Sequence, residues 1–158
     1  MARRLLGIYL NDHLAGATLA VELARRTARA NAGTALGVFL TESLVPEITE
    51  DRETLERLMD ALGVKRSRSK VVAAWTAEKA GRLKLNGELR RYSPLSRLLE
   101  LEGLAAGIEL KRGLWLALAD GLSAEGFDFA QLAERAGAQR SHLEEHRRAA
   151  AVLALDPR

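Results

Sequence analysis

Four segments of this chain repeat with helical period, and each is bounded by residues that start or stop helices. The first runs from about residue 3 to residue 30, with apolar side chains at Leu6, Leu10, Ala17, Val21, Ala24 and Ala28. Asn31, Ala32 and Gly33 break it, a turn short enough to send the next segment back alongside. The second covers about 34–62 through Leu40, Leu44, Ile48, Leu55, Leu58 and Leu62, with Gly63 just beyond. Pro46 lies inside it and lacks the amide hydrogen that a helix interior uses, so a kink or a later start is expected there. The third, about 93–120, opens on Ser93 as N-cap and Pro94 after it, and continues through Leu98, Leu101, Ala105, Ile108, Leu116 and Ala119. The fourth, about 128–154, opens on Asp128 with Gln131 three residues on, and carries Leu132, Ala136, Leu143, Ala150 and Leu153. Segments of about 27 residues make helices about 40 Å long. Four of matching length bury their apolar faces by closing into one bundle.

Composition agrees with an all-α fold. Leu and Ala account for 29 and 27 of the 158 residues, and aromatic residues for only 4%, so little favours strands. The length suits a single domain over 1–158. No stretch reaches the ~18 apolar residues of a spanning helix. The start, Met1 to Leu6 with Arg3 and Arg4, imitates a signal peptide, but Asn11, Asp12 and His13 interrupt the apolar run too soon. Without cysteine the chain has no disulfide, thiolate metal site or cysteine nucleophile, and a cytoplasmic protein is expected. Glycine-rich phosphate loops and the Gly-x-Ser-x-Gly elbow are also missing.

Between the second and third segments, Gly63 to Ser93 form a connection of 31 residues, longer than a hairpin needs. Ser69 caps an amphipathic stretch with Val71, Val72, Trp75 and Ala80, ended by Gly81, which predicts a short fifth helix. Nine cations, among them Lys65, Arg66, Arg68, Lys70, Arg82 and Lys84, stand against two carboxylates. The connection thus carries +7, and the rest of this +3 chain −4. Either these cations neutralise acidic helix faces beneath them, or they meet nucleic acid, anionic lipid or an acidic partner.

Two long antiparallel helices, a long connection and two more antiparallel helices form a layout that resembles the ferritin-like four-helix bundle. That family builds its di-iron centre from a Glu on each of two helices and a Glu-x-x-His motif on each of the other two. No Glu-x-x-His occurs here. The nearest approach is Gln139-Arg140-Ser141-His142, and the second segment offers Glu47, Glu50 and Asp51 without a His. The resemblance therefore implies a bundle whose di-iron ligand set is absent or rearranged. Residues 10–16 and 80–87 also resemble stretches of bacterial proteins with no assigned activity, which implies no chemistry.

Several polar residues fall where apolar ones belong. His13 lies at heptad spacing between Leu6 and Ala20, and Asp51 between Ile48 and Leu55. Glu102 and Glu109 border the third stripe, while Gln139 and His146 interrupt the fourth, with His142 beside them. Burying such groups is costly unless they are paired or bind a metal. In one reading they form a polar layer, with His13 or His146 bonded to Asp51 or a Glu and Arg reaching in. The protein is then non-enzymatic, with a structural or protein-interaction role. In a second reading His13, Asp51, Glu102, Glu109, His142 and His146 supply ligands for Fe, Mn or Zn in a metal-binding protein or metalloenzyme. A third makes the basic connection an anion-surface binder.

Helix direction sets which of these residues share a level. If the third helix runs parallel to the first, His13, Asp51, Glu102 and His146 share a level within about one turn. A reversed, ferritin-like crossover brings Asp51, Glu109 and Gln139 together instead. The third segment is also apolar on more than one side. Leu99, Leu110 and Leu114 lie outside its stripe, to be covered by Val71, Val72 and Trp75 or by a second copy in a homodimer.

Overall fold

The computed structural model describes residues 2–67 and 92–156, and every regular element in that range is helical. Helix α1 spans Ala2–Ala30. A second rod runs back as three joined pieces: α2 (Ala35–Phe39), a π-helical turn (Leu40–Leu44) and α3 (Val45–Ala61). Helices α4 (Pro94–Gly121) and α5 (Phe129–Leu155) complete the set. The fifth helix expected over 69–80 lies outside the described residues. No described helix is long and apolar enough to cross a membrane.

Helix starts follow from their caps. Thr34 Oγ1 accepts from the Gly37 amide at 3.1 Å, Ser93 Oγ from Ser96 at 3.1 Å, and Asp128 Oδ1 from Gln131 at 2.9 Å. Each satisfies one of the amides a helix start leaves unbonded. The kink expected at Pro46 takes the form of the wide turn just before it, in which the Val45 amide bonds the Leu40 carbonyl five residues back. The spacing of the core residues favours the same solution. Leu36, Leu40, Leu44 and Ile48 are all buried and four apart, and each four-residue step overshoots an α-helical turn by about 40°. A wider turn takes up the overshoot and keeps them facing the core.

Helix α1 packs on the second rod and on α4, and α4 packs along α5. Side-chain hydrogen bonds from Arg135 and Gln139 join α5 to α3. The rods therefore occupy the corners of a square. Thr27 meets Glu100, Gly103 faces Leu23 and Gly107 faces Ala20, so α4 runs opposite to α1. The second rod is parallel to α4, across the diagonal. The Ser67 amide donates to Asn11 Oδ1 at 2.6 Å, and Tyr92 Oη accepts from Asn31 Nδ2 at 2.9 Å. Asn11 and Asn31 are twenty residues apart, which along α1 is about 30 Å, so Ser67 and Tyr92 lie at opposite ends of the bundle.

The core has two apolar clusters. One gathers Val21, Leu40, Leu44, Ile48, Leu101, Ile108 and Leu143, and the other Leu10, Leu14, Leu55, Met59, Trp115 and Phe129. Among the buried residues of α4, Leu101, Leu104, Ile108, Trp115 and Leu118 fall at heptad spacing, which replaces the expected end of that stripe. Leu116 is 42% exposed and Leu153 63%, and Ala119 is also exposed. Leu114 is buried rather than surplus, whereas Leu99 and Leu110 remain exposed.

Gly37 marks the tightest approach at the first turn. A Cβ there would sit 2.1 Å from the Asn31 carbonyl oxygen and 2.8 Å from its carbon. Gly37→Ala must push α2 off the turn, at a cost of about 1–3 kcal/mol. Urea unfolding is expected to show a lower midpoint with an unchanged slope.

Candidate functional site

Asp51 is only 2% exposed and sits at the boundary between the two apolar clusters. A carboxylate there needs partners, and two other helices supply them. Lys111 Nζ of α4 donates to Asp51 Oδ2 and to Gln139 Oε1, each at 2.5 Å, and Gln139 Nε2 of α5 donates to Asp51 Oδ2 at 3.0 Å. The three side chains close a triangle. Arg135 flanks it, with Nε 3.5 Å from Asp51 Oδ1 and a terminal nitrogen donating to Glu50 Oε2 at 2.6 Å and to the Glu47 carbonyl at 3.1 Å. Burial pushes the Lys111 ammonium below its ordinary pKa, against the pull of Asp51. The hydrogen bond and charge of Arg135 hold the Glu50 carboxyl below its usual value.

Three of the four rods thus contribute to this layer. The fourth, α1, brings Gly16, Ala17 and Ala20 to the same region, and these are too small to fill it. What remains is a cavity of about 280 Å³ between α1, the second rod and α4. Leu44, Ile48, Leu104, Ile108 and Leu114 wall it, with His13, Asp51, Lys111 and Trp115 among its lining. Trp115 is 1% exposed, and neither its Nε1 nor Asp51 Oδ1 has a hydrogen-bond partner among the described residues.

Polar clamps close both ends of the bundle. Glu100, 6% exposed on α4, accepts from Arg26, from Thr27 Oγ1 at 2.8 Å and from Tyr92 Oη at 3.1 Å. At the other end Asn11 Nδ2 donates to the carbonyls of Gly7 and Lys65 at 2.8 and 3.0 Å.

The reversed direction of α4 decides the fate of the residues singled out from sequence. Asp51 and Gln139 meet, as that arrangement requires, but the third member is Lys111 rather than Glu109. Glu109 is exposed and pairs with Arg112 at 3.2 Å, and Glu102 is exposed with Arg147 at 3.7 Å. Both point outward because Leu101, Leu104 and Ile108 take the inner face. His13 lines the cavity beside the Tyr9 ring at 4.6 Å, His146 stacks on Phe39 at 4.6 Å, and His142 is exposed. The expected pairing of an imidazole with Asp51 is not formed. Among the described residues no three His, Asp or Glu side chains come together as a metal site. Of the basic candidates, Arg66 is engaged by Glu56 at 3.4 Å and by Asp60, and Lys65 is exposed. Arg68, Lys70, Arg82 and Lys84 lie outside the described residues.

Lys111 was legible in principle. Continuing the heptad from Leu101, Leu104 and Ile108 lands on position 111, but the leucines at 110, 114 and 116 draw the stripe elsewhere. No family model, no curated protein and no solved structure matches this chain.

Removing Lys111 leaves Asp51 buried beside Gln139 with Arg135 at its edge. Lys111→Met is expected to lose about 3–5 kcal/mol of stability. Adding Asp51→Asn, which leaves a neutral amide facing Gln139, is expected to recover most of it. A double-mutant cycle by chemical denaturation measures both.

Burial lowers the pKa of His13 and of His146 from 6.5, with Asp12 and Glu145 opposing in turn. Between 6.5 and their lower folded values the unfolded chain holds more protons, so stability falls as pH drops through that window. Unfolding midpoints measured from pH 7 to pH 5 are expected to decline, and His13→Gln with His146→Gln to flatten the decline.

Proposed function

We propose that this chain is a ferritin-like bundle protein with a non-enzymatic, structural or protein-interaction role. In it, side chains fill the level at which such a bundle holds its metal. The helix directions support the first part. Two antiparallel pairs whose middle rods run parallel need one connection along the bundle, as in the ferritin-like arrangement. Ser67 and Tyr92 stand at the two ends such a connection joins.

One observation carries the second part. Lys111 Nζ lies 2.5 Å from both Asp51 and Gln139. Gln139 is the residue that stands where the family's Glu-x-x-His would have its carboxylate, and Asp51 belongs to the acidic group of the second rod. An ammonium between them takes the space and the positive charge of a bridging cation. Every charged member of the layer has an ion-pair partner of opposite sign, so the layer balances its own charge without a metal ion. The cysteine-free sequence suits work in the cytoplasm.

Elemental analysis and thermal unfolding with Fe(II), Mn(II) or Zn(II) test this reading. A metal present at 100 times its Kd adds about 2.7 kcal/mol, a rise of several degrees for a chain of this size. The expected result is sub-stoichiometric metal and no rise. A rise with one metal, reversed by a chelator, would replace this reading with the metal-binding one.

A further inference from the structure

The cavity beside the layer plays no part in that reading, yet its lining holds polar groups that the described chain leaves unbonded. We propose that it is a binding site for a small, neutral, mostly hydrocarbon molecule bearing a hydroxyl group, a phenol or alcohol of one or two rings.

Size and wall chemistry set the skeleton. The cavity holds about 280 Å³, and its walls are mainly leucine, isoleucine and alanine. An engineered apolar cavity of about 150 Å³ already accepts benzene, so this one has room for a fused pair of rings. Access is along α1. Asp12 and Gly16 are exposed at its edge, and a Cβ on Gly16 would meet nothing within 4 Å.

Charge excludes an ion. Asp51 and Lys111 both line the cavity and neutralise each other at 2.5 Å, and the charge of Arg52, whose buried Nε also lacks a hydrogen bond among the described residues, is balanced by Glu56 at 3.8 Å. A charged ligand would enter hydrocarbon with no counter-ion left to meet it.

The unbonded groups select the hydroxyl. The indole N–H of Trp115 is a donor lacking an acceptor, and Asp51 Oδ1 is an acceptor lacking a hydrogen bond, with Arg135 Nε 3.5 Å away. Leaving such groups unmet costs about 1–3 kcal/mol each. A hydroxyl oxygen accepts from an indole while its hydrogen goes to a carboxylate. An ether or ketone answers only the first need.

Equilibrium titration of the full chain with 2-naphthol, 2-methoxynaphthalene and 2-naphthoate tests the proposal. The expected result is 1:1 binding of 2-naphthol, at least tenfold tighter than 2-methoxynaphthalene, with no binding of 2-naphthoate. Ala17→Leu, which fills the cavity from α1, is expected to abolish binding while circular dichroism stays helical. If that variant does not fold, Gly16→Leu at the open edge serves instead. Trp115→Phe is expected to weaken 2-naphthol about fivefold. Equal binding of the naphthol and its methyl ether would overturn the hydroxyl assignment. No binding of any probe, as for a cavity that takes only water, would overturn the site. So would 2-naphthol binding unchanged in a folded cavity-filling variant.

Discussion

An ammonium in the middle of a hydrocarbon core survives only if other elements bring it a carboxylate and a second acceptor at the right height. Lys111 meets this condition through Asp51 on α3 and Gln139 on α5, and the requirement reaches well beyond the three residues. Apolar ridges tolerate small slips, because one leucine replaces another at little cost. A slip of one residue along α5 would rotate Gln139 by about 100° and leave a buried charge partly unbonded. The layer therefore pins α3, α4 and α5 to one mutual alignment, and the two apolar clusters form above and below it.

Helix α1 stands apart from this arrangement. Beyond the apolar contacts of Leu10, Leu14 and Val21, its polar ties are at the bundle's ends, where Asn11 holds the chain leaving α3 and Thr27 and Arg26 hold Glu100 at the head of α4. In between it offers Gly16, Ala17 and Ala20, so it approaches closely without completing the polar layer. A helix fixed at both ends and small in its middle leaves space that its neighbours do not close. Surface charge follows a simpler logic. Glu144 accepts from Arg140, Arg147 and Arg148, which hold its carboxyl well below the usual range, and Arg66 is drawn onto acidic residues of α3.

The helices were legible because their ends are written locally. Ser93 with Pro94, Asp128 with Gln131, and Gly33 and Gly63 at positive φ each act over three or four residues, within reach of pattern reading. Asp51 was legible for a similar reason, since Ile48 and Leu55 bracket it on one face. Its partners were not. Which of Glu109, His146 or Lys111 reaches it depends on the direction of α4, and both directions satisfy the same local pattern. The burial of Glu100 and Asn11 is not written locally, because each stands beside leucines that dominate the stripe and is covered by Tyr92 or Lys65 arriving from elsewhere in the chain.

The wide turn at 40–44 has a consequence of an evolutionary kind. Such a turn encloses one residue more than an α-helical turn does, and here it lies just ahead of Pro46, where an amide hydrogen is lacking anyway. Loss of one residue from 40–44 would restore the ordinary period, and the proline ring would then crowd the carbonyl four residues back. Homologous chains that keep the proline should keep the extra residue with it. Chains that lack both should present Leu36 and Leu40 to the core from a different angle. Length variation in this rod is thus channelled into paired events, one insertion with one proline, instead of being scattered along the helix.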